Sequence, residues 1–207
     1  MRRQKKPPKR FRLSWNESHT DGELRKWACN KKTKEFRDDL TLWLRKKQKD
    51  YCSYCSLSLG LANRRAFALD HFVPKAERNG EPEWTFEIYN LILSCEYCNS
   101  KRKKQHNPLV ASGLPYKRSQ FSIVHPYLDR VSDHIKGGYR GGADVPSTPR
   151  PMTVKGQLTV NMFALDSPDI RYLWEAEHQK VLDRKTLSSW TPTRQSEFYK
   201  AIDELRK

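Results

Sequence analysis

An α+β fold built on a small, cysteine-pinned core is the class this sequence predicts, and three observations predict it. Two Cys-x-x-Cys pairs, Cys52/Cys55 and Cys95/Cys98, bracket 39 intervening residues. The bracket holds two short apolar runs suited to a hairpin, with Asp70-His71 ending the first. A helical pattern precedes the bracket, and hairpin and helical patterns follow it.

Taken in order, Met1 to Arg10 is a Lys/Arg/Pro arm, and residues 1–20 are expected to stay disordered until they meet an acidic partner. No apolar h-region of a secretory signal follows, and no apolar run is long enough to span a bilayer, so a cytoplasmic protein with no membrane partner is expected. From Asp21 to Gln48 the pattern is helical: Phe36, Leu40, Trp43 and Leu44 fall at i, i+4, i+7 and i+8 and present one face to the core. Residues 21–110 are read as this helix plus the cysteine-pinned unit. Within the unit, Ala66 to His71 reads as a strand that gives way to loop by Pro74, which cannot donate to a ladder. Gly80 and Pro82 keep the middle loop-like. Leu91-Ile92-Leu93 then brings the chain back to Cys95. Beyond Cys98, Asn99 and the run Lys101, Arg102, Lys103, Lys104 read as a basic helix with Asn99, Arg102 and Lys103 on one face.

Residues 111–207 are read as an extension of a hairpin and helices, a candidate partner-docking region. Gly137, Gly138, Gly141 and Gly142 with Arg140 suggest a flexible basic loop. The alternation of Met152-Thr153-Val154 and Leu158 to Phe163 about a Lys155-Gly156 turn predicts a second hairpin. Ser167-Pro168 opens a helix with Ile170, Leu173, Trp174, Val181 and Leu182 inward, and Thr191-Pro192 opens a last one carrying Phe198, Ala201, Ile202 and Leu205.

Two residues between paired cysteines let both sulfurs turn onto one ion, and two such pairs complete a tetrahedral zinc site. The long segment between the pairs carries a working part of its own while its ends are tied. Two disulfides or four free thiols are the alternative, and disulfides suit an oxidising compartment that nothing in the N-terminal segment indicates. Cys29, the fifth cysteine, is expected to be an unliganded thiol.

The chain has 207 residues, and its 36% hydrophobic content includes enough aromatic bulk for an ordinary core. Its formal net charge of +16 points to a polyanionic partner. The charge is unevenly spread. Residues 1–50 carry 17 Lys and Arg against 7 Asp and Glu, and residues 101–150 carry 10 against 3, whereas residues 51–100 carry 4 against 6. A nearly neutral hairpin flanked by basic segments suits a metal site fed by a phosphate-binding surface.

Asp70-His71, the later Asn90, and Cys98-Asn99 leading into a basic helix resemble the signature of HNH endonucleases in their zinc-stabilised, ββα-metal form. The resemblance implies a metal-dependent nuclease hydrolysing phosphodiester bonds of DNA or RNA. It makes His71 the general base, Asp70 and Asn99 ligands of a catalytic Mg²⁺ or Mn²⁺, and Asn90 the residue that orients the base. Asn99 stands where many members have histidine. Lys101, Arg102, Lys103 and Lys104 are then expected to hold phosphate.

Downstream, Asn107-Pro108, His125-Pro126-Tyr127-Leu128-Asp129 and Ser132-Asp133-His134-Ile135, followed by hairpin and helices, resemble the HNH subunit of Septu-type antiphage systems, some of which accompany retrons. That likeness implies a defence effector working with an ABC-type ATPase. His125 and His134 receive structural rather than catalytic roles. A second reading, a zinc-stabilised nucleic-acid-binding or adaptor subunit without cleavage activity, shares the cysteines and the basic flanks. It does not require the Asp70-His71 pair with Asn99.

Overall fold

The computed structural model describes residues 31–59, 66–76, 78–113, 115–142 and 144–205. The basic arm, the start of the expected N-terminal helix and Cys29 lie outside the described residues. Helix α1 (Lys31–Gln48) buries Leu40 and Leu44 completely, with Phe36 and Trp43 half-buried beside them. Its last residue does more than end it. The buried Gln48 amide donates to the Leu93 carbonyl at 3.0 Å and accepts from the Leu93 N–H at 3.1 Å, imitating one more strand pairing and fixing the helix to the hairpin.

That hairpin pairs β1 (Phe67–His71) antiparallel with β2 (Leu91–Cys95), Asp70 opposite Ile92 and His71 opposite Leu91. β2 is buried along its whole length, which is why it reads as a continuous apolar run rather than an alternation. A π-helix, Tyr97–Lys103, follows at once and completes a strand, strand, helix unit. The expected α-helix is thus replaced by a wider coil, closed by a bond from the Lys104 N–H to the Asn99 carbonyl five residues back at 2.8 Å.

The rest of the chain wraps this unit. β3 (Leu109–Ala111) and β4 (Gln120–Phe121) form a small ribbon. After the short helix α2 (Val131–His134), β5 (Ile135–Gly138) pairs antiparallel with β6 (Ser147–Pro151). The second large hairpin therefore exists, but it is built by the glycine-rich segment read from sequence as a loop. The segment expected to be a hairpin turning at Lys155-Gly156 instead forms helix α3 (Val154–Phe163). The cause is a cap and a period. Thr153 accepts from the Gly156 N–H, and Gly156, Thr159, Val160 and Phe163 all point inward at helical spacing. Gly156 is required there, because a Cβ would lie 2.0 Å from the His134 carbonyl oxygen.

Ser167 caps α4 (Pro168–Ser189) as expected, burying Ile170 and Trp174. Leu182 does not face the core: it is 39% exposed, because α4 has left the body by that turn. Helix α5 (Pro192–Leu205) contacts the end of α4 through the edge-on pair of Trp190 and Phe198. None of the described helices is long and apolar enough to cross a membrane.

His125 sits at 0% exposure in the centre of this wrapping, against Phe72 and Phe121. Its Nδ1 accepts from the backbone N–H groups of Tyr127 (3.1 Å) and Leu128 (3.3 Å), so Nε2 carries the proton and donates to the Tyr116 hydroxyl at 2.9 Å. Tyr116 in turn donates to Asn90 at 3.2 Å. Burial first, and then Lys155, push the His125 pKa down to about 3. The folded value lies below that of an unfolded imidazole, about 6.5. The neutral ring's contribution is therefore complete above pH 6.5 and is lost as pH falls from there toward 3. At about 1.4 kcal/mol per unit, stability is expected to drop by ~3 kcal/mol between pH 7 and pH 4, with His71, also depressed to about 3, adding to the same limb. Denaturant midpoints across that range check this, and His125→Gln should flatten the slope.

Candidate active site

The four cysteines come together as their spacing requires. Their Sγ atoms all lie within 4.8 Å of one another, every one buried, and Cys55 and Cys95 stand 3.9 Å apart. A zinc ion with four thiolates at about 2.3 Å spaces its sulfurs by about 3.8 Å, so this cluster fits zinc. Backbone N–H groups aim at the sulfurs: Tyr54 and Cys95 at Cys52 (3.4 and 3.3 Å), and Cys98 at Cys95 (3.4 Å). The Cys52 thiol, followed by those of Cys55 and Cys98, pulls Cys95 well below the ordinary thiol range by hydrogen bonding, while Cys55 and Cys98 are pushed up.

From this knuckle the chain reaches the hairpin tip. Tyr54, between the first two cysteines, is wholly buried, stacks on Phe163 at 4.1 Å between ring centres, and donates its hydroxyl to Asp70 Oδ2 at 2.6 Å. Burial, and next the Asp70 charge, hold the Tyr54 hydroxyl well above its usual pKa, so it remains a donor. The other carboxylate oxygen, Asp70 Oδ1, receives the ammonium of Lys103 at 3.2 Å, and the same ammonium donates to the His71 carbonyl at 2.8 Å. Desolvation raises the Asp70 pKa, and Lys103 and Tyr54 oppose that rise.

His71 points its Nε2 at the Thr85 carbonyl, 3.0 Å away. A carbonyl can only accept, so Nε2 carries the proton and Nδ1 the lone pair. Burial is the first cause holding the ring's pKa near 3, keeping it neutral at ordinary pH. The residue before Thr85, Trp84, is held in turn by Asn90. The wholly buried Asn90 amide donates to the carbonyls of Val73 (3.0 Å) and Trp84 (3.1 Å) and accepts from the Val73 N–H (2.7 Å) and from Tyr116. Asn90 therefore does not touch the imidazole; it ties together the two ends of the loop whose Thr85 orients it. Asn90→Ala strips four buried groups of a partner at about 1–3 kcal/mol each. A loss of ~3 kcal/mol or more is expected in urea denaturation, with the zinc content unchanged.

Asp70, His71 and Asn99 line one cavity of about 210 Å³, together with Lys75, Lys103 and Lys104. The π-helix makes this possible, because a coil with i→i+5 bonding puts Asn99, Lys103 and Lys104 on one side. Arg102 turns elsewhere, its guanidinium over the Tyr97 ring at 5.2 Å. The face shared by Asn99, Arg102 and Lys103 in an α-helix is thus not the one formed. Lys101 and Lys104 are exposed, whereas Lys103 is 2% exposed and faces Asp70. A carboxylate and an amide in one cavity, with a cationic group already drawn to the carboxylate, fit a hard divalent cation.

Three contributors escaped sequence reasoning: Tyr54, the Thr85 carbonyl, and the inward Lys103. Only Tyr54 left a signal, a phenol placed inside a Cys-x-x-Cys pair. His134, half-buried with its Nδ1 2.8 Å from the Thr153 hydroxyl, does not line that cavity. Residues 52–105 match the family described as HNH endonuclease, a span holding all four cysteines, Asp70, His71, Asn90, Asn99 and the basic run. A comparison with curated proteins finds no match.

Proposed function

We propose that this protein is a metal-dependent endonuclease that hydrolyses phosphodiester bonds of nucleic acid, with His71 as general base and Asp70 and Asn99 as the ligands of Mg²⁺ or Mn²⁺. The observation that carries this reading is the convergence of those three side chains on one cavity, with the His71 tautomer fixed by Thr85. Held there, a hard dication supplies relief of charge on the phosphoryl oxygens and on the departing 3′ oxygen. His71 Nδ1 accepts the proton of the attacking water, a role suited to a neutral, oriented imidazole. Tyr54 and Lys103 favour the charged form of the buried Asp70 carboxylate against its desolvation and aim it. The exposed Lys101 and Lys104 meet backbone phosphates, contacts that position a strand without reading its sequence.

A non-catalytic zinc-stabilised binding or adaptor role is the second reading, and one observation favours it: both Asp70 oxygens already have protein partners. The role of a bacterial antiphage effector beside an ABC-type ATPase rests on the likeness of residues 107–135 to the Septu-type subunit. Helices α4 and α5, with Tyr172, Leu182 and Tyr199 exposed, are the surface such a partner would use. The test is cleavage of DNA and of RNA by the zinc-loaded chain with Mg²⁺ or Mn²⁺, alone and with the ATPase. Metal-dependent products are expected. Binding without cleavage under every condition would select the second reading.

A further inference from the structure

We propose that Lys103 is an exchangeable counter-ion: its ammonium holds the Asp70 site until a divalent ion enters, then leaves for the cavity rim to bind substrate phosphate. This rests on Asp70 being the ligand of the catalytic ion. Lysine is almost never fully buried unless paired, and Lys103, at 2% exposure, has two partners, Asp70 Oδ1 and the His71 carbonyl. Tyr54 already occupies Oδ2 at 2.6 Å. An incoming cation and the ammonium therefore compete for the same oxygen, in a place too dry to screen two positive charges from each other.

The fold gives the displaced group somewhere to go. Lys103 is the last residue of the π-helix and lines the cavity that Lys75 and Lys104 also line. Its four-carbon stem can redirect the charge without moving the backbone. At the rim it would join these two lysines, where a strand's phosphates would lie. Ion entry and strand capture then assist each other, because each takes what the other releases. Lys103 is a positioning residue in this account, and the sequence-based expectation that it meets phosphate describes only one of its two states.

The experiment labels lysines with an amine-acetylating reagent at pH 8 in the zinc-loaded full chain, with and without saturating Mn²⁺, and reads each site by mass spectrometry. Lys103 is expected to be protected without Mn²⁺ and to label at least about tenfold faster with it, while Lys101 changes little. In parallel, electron paramagnetic resonance measures Mn²⁺ affinity at the same pH. Lys103→Met, which keeps the stem and removes the charge, is expected to bind Mn²⁺ about tenfold more tightly. Asp70→Asn should abolish binding in either background. If Mn²⁺ binds through Asp70 yet Lys103 stays protected, or Lys103→Met binds no tighter, the exchange is overturned and the ion site stands. If Asp70→Asn leaves Mn²⁺ binding unchanged, the ion-site reading fails and the exchange fails with it. Should Lys103→Met not fold, the labelling of the parent chain decides alone.

Discussion

His71→Ala is expected to lower the rate of phosphodiester cleavage by about three orders of magnitude, within the range a positioned general base contributes. The substitution removes the nitrogen proposed to receive the water's proton and leaves Asp70, Asn99 and the cysteines in place. Its structural cost should be modest, because the backbone pairing of His71 with Leu91 at the end of β1 is kept while the ring's bond to the Thr85 carbonyl is lost. Zinc content, circular dichroism and nucleic-acid binding should therefore stay close to those of the parent chain. Single-turnover cleavage of a labelled duplex, compared with binding of the same duplex, separates chemistry from affinity. A variant that cuts at the parent rate would remove His71 from the mechanism.

Removing the structural metal is expected to have the largest effect on the fold. A four-cysteine zinc site contributes about 10–16 kcal/mol of binding free energy that is also folding free energy, while a whole domain is stable by only about 5–15 kcal/mol. Strong chelation should therefore unfold the hairpin unit, and Cys52→Ser should reproduce most of that loss. The sulfur of Cys52 accepts N–H groups from both Tyr54 and Cys95, so its removal loosens both knuckles. Tyr54 would drift from Asp70, and activity would fall together with stability. Metal analysis of the purified chain should find about one zinc per molecule. A chelated protein that kept its melting transition would show that the cysteines stabilise the fold without an ion.

The parts legible in the sequence were those encoded over short distances. Ligand spacing named the four cysteines, a short apolar run giving way to loop by Pro74 gave β1, and Ser167-Pro168 marked the start of α4. Where two local signals competed, the less conspicuous one prevailed. Residues 152–154 and 158–163 alternate well enough for a hairpin, yet Thr153 caps a helix whose inward face includes a glycine and a threonine, residues that a hydrophobic pattern overlooks. The glycines at 137 and 138 suggested a loop, but they hold a strand at φ of 73° and 79°. The inward turn of Lys103 follows from the π-winding, which has no simple sequence mark. The buried relay from His125 through Tyr116 to Asn90 joins residues 35 positions apart. Only the folded chain shows that a histidine in a His-Pro-Tyr motif supports the loop that carries Thr85.

Trp174 offers a last consequence. Its indole N–H donates to the Cys55 carbonyl at 2.7 Å, and one turn later Glu177 accepts the N–H and hydroxyl of Ser58. Tyr127 likewise donates to the Leu91 carbonyl at 2.9 Å. The nuclease-like segment is thus not a cassette. Excised at the limits of its family match, it would lose Trp174, Tyr127, Phe163 and Tyr116 from its walls and expose an apolar interior. Transplanting this chemistry into another scaffold would require the α3–α4 elbow to travel with it. By the same linkage, a protein that pulled on α4 would pull on the zinc knuckle and, through Tyr54, on Asp70.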